Sequence, residues 1–511
     1  MRLLLLFLSL ISLSGSSQGQ VNDEFRVNTC IDSLQREPAI AMNASGNYVV
    51  VWTSFLQDGS AEGIYGQRFN ARDDKIGAEF QVNQVTPNAQ SRPAVAMNDA
   101  GQFVVAWSST DSSSQDIRAQ LFDANGNRVG GEILVNTTTA DNQNTPSVAI
   151  DRHGNFCVVW HSWGQDGGDR GVYGQRFRPD GARLGEEFLV NTTTKFSQAN
   201  PCIAMAPDGQ FVVIWESWMQ DGTITYSYDV FGQLFNADGT KNGSEFRVNT
   251  YTTNYQWLAK ASMARNGNFV VVWTSWKQDG DNGGIYGQRF LANGDKIGEE
   301  FLINTTTKEY QWLPNVAIDQ FGNFVVVWSS WKQDGSREGV CGQFFDKHGN
   351  KLGIEFQVNR YTDNYQWEPV VAMSDSGEAV VAWSSWGQDK NDYEVYARRI
   401  LLAQTSVQEK TGAIPERYEL HQNYPNPFNP RSTIRYEIPD YAGKAQAVPV
   451  QLKLYDPTGR EVKSLVNEFK NPGRHQVELD GHDLPAGIYF YQLLVAGKQP
   501  FLATRKLVVI K

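Results

Sequence analysis

The chain has 511 residues, too many for one ordinary domain core, with 12% aromatic residues that include 15 Trp, and a formal net charge of -11. That charge, with no basic run anywhere, excludes a nucleic-acid binder of the usual kind, which concentrates Lys and Arg on one face.

Met1 and Arg2 precede an apolar run, Leu3 to Leu13, which gives way to small and polar residues from Ser14 to Gln20. This pattern predicts a secretory signal peptide over residues 1–20, too short to span a bilayer as a mature helix. No Cys follows the run, so a lipid anchor is not expected, and no later segment is apolar enough for a transmembrane helix. Export permits disulfides, but Cys157, Cys202 and Cys341 stand where sister repeats carry Val, Ala or Tyr. They read as small buried apolar residues, with Cys157–Cys202 the one pair to test.

Residues 21–400 hold a repeat. Trp52, Trp107, Trp160, Trp215, Trp273, Trp328 and Trp383 recur at spacings of 55, 53, 55, 58, 55 and 55 residues. Each unit contains four short β-type runs, exemplified by Pro38 to Met42, Tyr48 to Trp52, Ile64 to Phe69 and Glu79 to Asn83. Four strands per unit predict a blade, and seven units a seven-bladed β-propeller. Gly46, Gly101, Gly154, Gly209, Gly267, Gly322 and Gly377 mark the tight turn between runs one and two. The Gly of run three (Gly66, Gly174, Gly232, Gly287, Gly342) is expected to make room for the strand Trp.

The phase of the repeat predicts closure. The first copy of run four, Glu24 to Asn28, precedes the first complete unit, and the last unit stops after run three, Val395 to Ile400. The N-terminal segment therefore supplies the missing outer strand of the seventh blade and removes a free edge. An open solenoid is the alternative.

Two connections per unit have constant length, 10 residues each, and all length variation falls between runs two and three. Variation on one rim marks the binding face. The same rim gathers aromatics: Trp218, Trp276, Trp331 and Trp386 after run two, and Tyr255-Gln256-Trp257, Tyr310-Gln311-Trp312 and Tyr365-Gln366-Trp367 in the links entering blades five to seven. These rings either pack between blades or offer platforms for sugar faces, flanked by amides and carboxylates that bind hydroxyls. The link Gln, present in all seven units from Gln35 to Gln366, is expected to hold the backbone of an adjacent loop.

Catalytic signatures are missing from the linear sequence. The six His residues are scattered, and no nucleophile motif or phosphate-binding Gly loop occurs. No cofactor is expected. The Asp of each Gln-Asp-Gly loop (Asp58, Asp166, Asp221, Asp279, Asp334) suits a turn better than the oxygen-rich shell of Ca²⁺, which stays a minor alternative. Glu216, Glu309, Glu368 and Asp229 break the repeat, so a glycosidase with carboxylates from different blades stays open. The favoured reading is a monomeric binding protein for polysaccharide or another cell-surface component, the alternatives being a polysaccharide-degrading hydrolase or lyase and a purely structural adhesion module.

Residues 401–413 read as a polar linker, and the composition changes after them: no Trp, new turns, and alternating strands suggesting a small β-sandwich. Ile414 to Pro439, with its NYPNPFNP phrase (Asn423, Tyr424, Pro425, Asn426, Pro427, Phe428, Asn429, Pro430), together with Leu452 to Gly481, Leu484 to Leu493 and the terminal TRKLVVIK, resembles the type A C-terminal sorting domain of type IX secretion substrates. The resemblance implies an Ig-like sandwich over 414–511, a partnership with the type IX machinery, and a final location outside the cell or on its outer surface. The repeats resemble VNTTT and QDG-type repeats of large bacterial exported proteins, which implies only an extracellular setting.

Overall fold

The computed structural model describes residues 23–401 apart from 112–113, 221–226 and 390–391, and residues 417–510 apart from 424–425, 427, 429–430, 440–446, 483 and 496–499. The expected signal peptide and nearly all of the expected linker lie outside the described residues. The chain divides into two compact units between residues 407 and 408. All regular structure among the described residues is β, and no helix is long and apolar enough to cross a membrane.

The first unit is a succession of four-stranded antiparallel sheets, seven among the described residues. In the first sheet the strands Gln35–Met42, Tyr48–Phe55, Glu62–Phe69 and Lys75–Gln81 follow one another in space as in sequence. The second strand is buried on both faces, which explains its unbroken apolar run, while the fourth, Lys75–Gln81, is largely exposed and polar. All seven repeat Trp are fully buried, and the cores form between neighbouring sheets. Burying a Trp removes ~150–250 Å² from water, so seven recurrences account for much of the driving force.

The last sheet closes the series. Phe25–Arg26 pairs antiparallel with Tyr393–Ile400, with Phe25 opposite Ala397, and Val27 N–H donates to the Val395 carbonyl at 2.8 Å. Asn28 returns the contact, its Oδ1 accepting from Val395 N–H at 2.9 Å. Val27 shares one core cluster with Trp52 of the first sheet and Val380 of the last. The first strands of all seven sheets line one channel of about 610 Å³.

Two expectations are corrected by the packing. The run-three Gly accommodates the fourth-strand Phe rather than the Trp: a Cβ on Gly66 would sit 2.9 Å from Phe80 Cζ, and one on Gly342 2.8 Å from Phe356 Cζ. The link Gln holds its own link, not an adjacent loop. Gln35 Nε2 donates to Ser33 O at 2.9 Å, and its Oε1 accepts from Trp52 Nε1 at 2.9 Å. The four cysteines are unpaired, Cys157 being buried in the core with Val159 and Trp215.

The second unit contains a three-stranded sheet (Glu419–Leu420, Arg431–Ile438, Gly473–Asp480) and a four-stranded sheet (Glu461–Lys470, Val448–Tyr455, Gly487–Val495, Phe501–Val509). One core joins them, with Ile434 and Tyr436 from the first and Leu452, Tyr491 and Leu507 from the second.

Candidate functional site: the mouth of the axial channel

Each first strand carries a bulge where its register against the second strand shifts, as between Arg36 and Ala39. The bulged residue has positive φ in every unit: Glu37, Arg92, Thr145, Asn200, Leu258, Leu313 and Glu368, all between 50° and 55°. Left-handed backbone at a non-glycine residue costs ~1 kcal/mol or more, most for the β-branched Thr145. The bulge re-aims the side chain, and here all seven residues line the channel. Around this ring the repeat gives way to five kinds of side chain, with Glu and Leu each occurring twice. Sequence reading missed the ring, although its signal is present: two variable residues separate the constant link Gln from the following Pro of nearly every unit, and the second of them is the bulge.

The ring is chemically divided. In units five to seven, Trp257, Trp312 and Trp367 directly precede Leu258, Leu313 and Glu368, so an indole stands next to each of these bulges, two of which are apolar. Trp312 Nε1 donates to Glu338 Oε1 at 3.0 Å, whereas the indole nitrogens of Trp257 and Trp367 have no acceptor. The outer aromatics seal the seams between units: Trp276 lies 5.1 Å from Tyr310, Trp331 6.3 Å from Tyr365, and Trp218 6.4 Å from Tyr255. Trp386 meets Tyr393 edge-on at 4.7 Å, and Trp367 lies 5.9 Å from the same ring. These Trp are half-buried, so each packs with one side and presents the other.

Units one to four supply polar groups. Glu37 Oε2 accepts from Thr53 Oγ1 at 2.9 Å and from Arg92 N–H, at the next bulge, at 3.0 Å. Glu216 does likewise, accepting from Leu258 N–H at 2.5 Å and from Asn200 Nδ2 at 2.9 Å. A carboxylate of one unit thus ties down the strained bulge of the next. Burial pushes the Glu216 carboxyl up. Burial, reinforced by the neighbouring Glu37 charge, pushes Glu368 up to about 7. Glu338 is also raised to about 7 by burial. His161, buried with Nδ1 2.7 Å from Thr145 Oγ1, is lowered to about 3 by burial and by Arg170 and Arg92, and is neutral.

The opposite end of the channel is bridged. Arg265 of unit five reaches Asp99 of unit two at 2.8 Å and Asp375 of unit seven at 2.7 Å, over a cavity of about 150 Å³. Partners in two units that do not adjoin unit five place this guanidinium across the axis.

Of the acids that break the repeat, Glu216 and Glu368 reach the mouth. Asp229 is spent on Asn249 Nδ2 at 2.6 Å, and Glu309 is exposed, its N–H donating to Asp281 Oδ2 at 2.9 Å. The Gln-Asp-Gly carboxylates close their own turns: Asp166 Oδ1 accepts from Gly168 N–H at 2.9 Å while Oδ2 approaches Asn191 Nδ2 at 3.4 Å. Asp221 lies outside the described residues. One set of metal-type donors comes together that the scattered His positions did not suggest: Glu419, His421 and Glu437, on paired strands of the second unit, have ligand atoms within 4.8 Å of one another.

In the sorting phrase, Tyr424, Pro425, Pro427, Asn429 and Pro430 lie outside the described residues. The others hold the fold. Asn423 is buried, its N–H donating to the Tyr491 hydroxyl at 2.7 Å and its Nδ2 to Ser432 Oγ at 2.9 Å. Asn426 Oδ1 accepts from Val508 N–H at 2.8 Å, and Phe428 N–H donates to Val508 O at 3.0 Å.

Residues 422–510 match the secretion system C-terminal sorting domain. The chain carries a type IX sorting domain. It is therefore exported by type IX secretion to the cell surface or extracellular space, which implies contact with that machinery. No curated protein matches the chain. Among solved structures, a protein of unknown function from Dyadobacter fermentans is similar with a TM-score of 0.45 and 9% identity, over 74% of this chain and 98% of that one. An α-L-arabinanase of Penicillium chrysogenum complexed with arabinobiose gives 0.43 and 14%, over 75% and 99%. The β-propeller domain of the Trilobed protease from Pyrococcus furiosus gives 0.41 and 10%, over 73% and 96%. At these levels the similarities assign no activity.

Proposed function

We propose that residues 21–400 form a seven-bladed β-propeller closed by the N-terminal strand, and that residues 414–511 form an Ig-like sandwich that delivers it to the outside of the cell. The propeller is a polysaccharide-binding module, and its site is the channel mouth. One observation carries this reading: seven strained bulges aim side chains of five different types into one channel while the surrounding units repeat. Strain kept at every unit alongside sequence divergence suits a recognition surface. The arc from Trp257 to Trp386, with Tyr310 and Tyr365, supplies faces for sugar C–H surfaces, and the polar arc supplies hydroxyl partners.

The test is a panel of soluble polysaccharides against the secreted protein and its Trp257→Ala and Trp367→Ala variants. Binding by wild type, weakened roughly tenfold or more in both variants at unchanged melting temperature, supports the site. Absence of binding across the panel refutes it.

A second reading, polysaccharide hydrolysis, has one observation in its favour. Glu368, pushed up to about 7 by burial and by the neighbouring Glu37, gives the mouth two adjacent carboxyl groups, one of them with a raised pKa, the pairing that acid–base glycoside cleavage uses. Release of reducing ends that is abolished in Glu368→Gln would establish it.

A further inference from the structure

Several arginines of the repeat units are neutralised in place. Arg36 pairs with Glu62 at 2.6 Å, Arg118 with Glu132 at 3.0 Å and Arg399 with Asp73 at 2.7 Å. Arg68 and Arg176 instead donate to the hairpin carbonyls of Ala124 and Ala237, each at 2.7 Å. Two mouth residues are different. Arg92, at the bulge of unit two, is exposed in the channel, and its Nη1 touches only the neutral amide of Asn144 at 3.2 Å. Arg170, opening the third strand of unit three, lays its guanidinium over Trp163 at 5.1 Å and bonds the Tyr228 side chain of unit four. Its buried Nε has no acceptor. Among the described residues neither guanidinium has a carboxylate within salt-bridge distance.

Both cations lie near the buried His161: Arg92 bonds Asn144, which stands opposite His161 across the strand pair, and Arg170 stands opposite Trp163, two residues further along the same strand. The imidazole is neutral, so two guanidinium groups, both planar donors, flank an uncharged side chain, with the Glu37 carboxyl at the Arg92 backbone and the buried Glu216 within reach of the Arg170 charge. Guanidinium forks match carboxylate and sulfate oxygens in pairs. In the proposed site, Trp257, Trp312 and Trp367 on the first strands of units five to seven offer faces for the sugar ring that would carry such a group.

We propose that the notch flanked by Arg92 and Arg170 and floored by His161 binds the anionic substituent, carboxylate or sulfate, of an acidic polysaccharide. This rests on the reading of the mouth as a glycan site and narrows its ligand class. The net charge of -11 repels polyanions at long range. A preference for an acidic chain therefore has to arise from contacts within the notch, within the ~8 Å over which charge acts at physiological salt.

The experiment compares binding of the secreted protein to polygalacturonate and its fully methyl-esterified form, and to a sulfated galactan and its desulfated form, at about 0.15 M salt. The expected result is that one acidic polymer binds roughly tenfold tighter than its neutral counterpart, as one charge-assisted bidentate contact provides. The pair that shows the difference identifies the anion. In R92Q and R170Q the difference falls to about threefold or less, in the double variant it vanishes, and affinity for the neutral form is unchanged. Arg92→Lys and Arg170→Lys keep the charge and retain part of the preference, which separates recognition from misfolding. Equal binding of acidic and neutral forms overturns the inference and leaves the glycan reading standing. An acid preference that survives in R92Q/R170Q also overturns it, and failure of all four polymers to bind sinks both.

Discussion

If Phe25 to Asn28 is an integral outer strand, Val27 must be worth as much as the residues at the same place in the other sheets. Val27, Val82, Val135, Val190, Val248, Ile303 and Val358 are all fully buried. Val27→Ala removes two buried methyl groups, each worth ~0.8 kcal/mol in transfer, and the cavity left behind raises the cost to about 2 kcal/mol. Val135→Ala, far from either end of the repeat, is the reference. Urea unfolding followed by Trp fluorescence reports the first unit alone, because all 15 Trp lie before residue 401. Both variants are expected to lower the midpoint equally at unchanged slope. A Val27→Ala midpoint equal to wild type, with Val135→Ala shifted, would refute closure by the N-terminal strand.

Gly342→Ala drives a Cβ to 2.8 Å from Phe356 Cζ and should cost about 1–3 kcal/mol, largely recovered by Phe356→Leu, whereas Gly131→Ala meets open space and should be close to neutral; thermal melts of the three variants decide. Glu368 titrates near 4.5 unfolded but about 7 folded, because burial and Glu37 disfavour its charge. The folded state therefore keeps a proton that the unfolded chain loses, and stability falls as pH rises through that window. Glu368→Gln should match wild type near pH 4.5 and exceed it by on the order of 2 kcal/mol at pH 8, its partial exposure screening part of the shift; a pH-independent difference in urea midpoint contradicts this. Removal of residues 415–511 should leave the protein in the periplasm, and cell fractionation showing it at the surface would refute its dependence on the sorting domain.

The repeat, its turns and the role of the first residues were legible because each is written as periodicity and phase. Every unit carries Gly at the same turn, and the fourth run is displaced by one place. The partner of the run-three Gly was not legible, since a missing side chain says only that something large lies near it. Phe80 and Trp52 are both candidates until the register puts Gly66 opposite Phe80. The link Gln was read as bonding across a seam because a buried amide must bond somewhere, and sequence gives no direction. The aromatic rim was legible, but the mouth was not, since Glu37, Arg92 and Glu368 share a ring only through a bulge that no residue preference announces. Arg92 and Arg170 lie 78 residues apart and both come near His161 only when units two and three are side by side.

The Arg265 bridge to Asp99 and Asp375 stands across the end of the axial passage away from the mouth. If the mouth takes a polysaccharide, a chain entering it meets this bridge, so whatever probes its depths would arrive tip first or as a side branch and back out by the same door. Internal stretches of an unbranched chain would lie across the opening, touching the indoles without entering. Recognition would then favour frayed or decorated strands over intact ones.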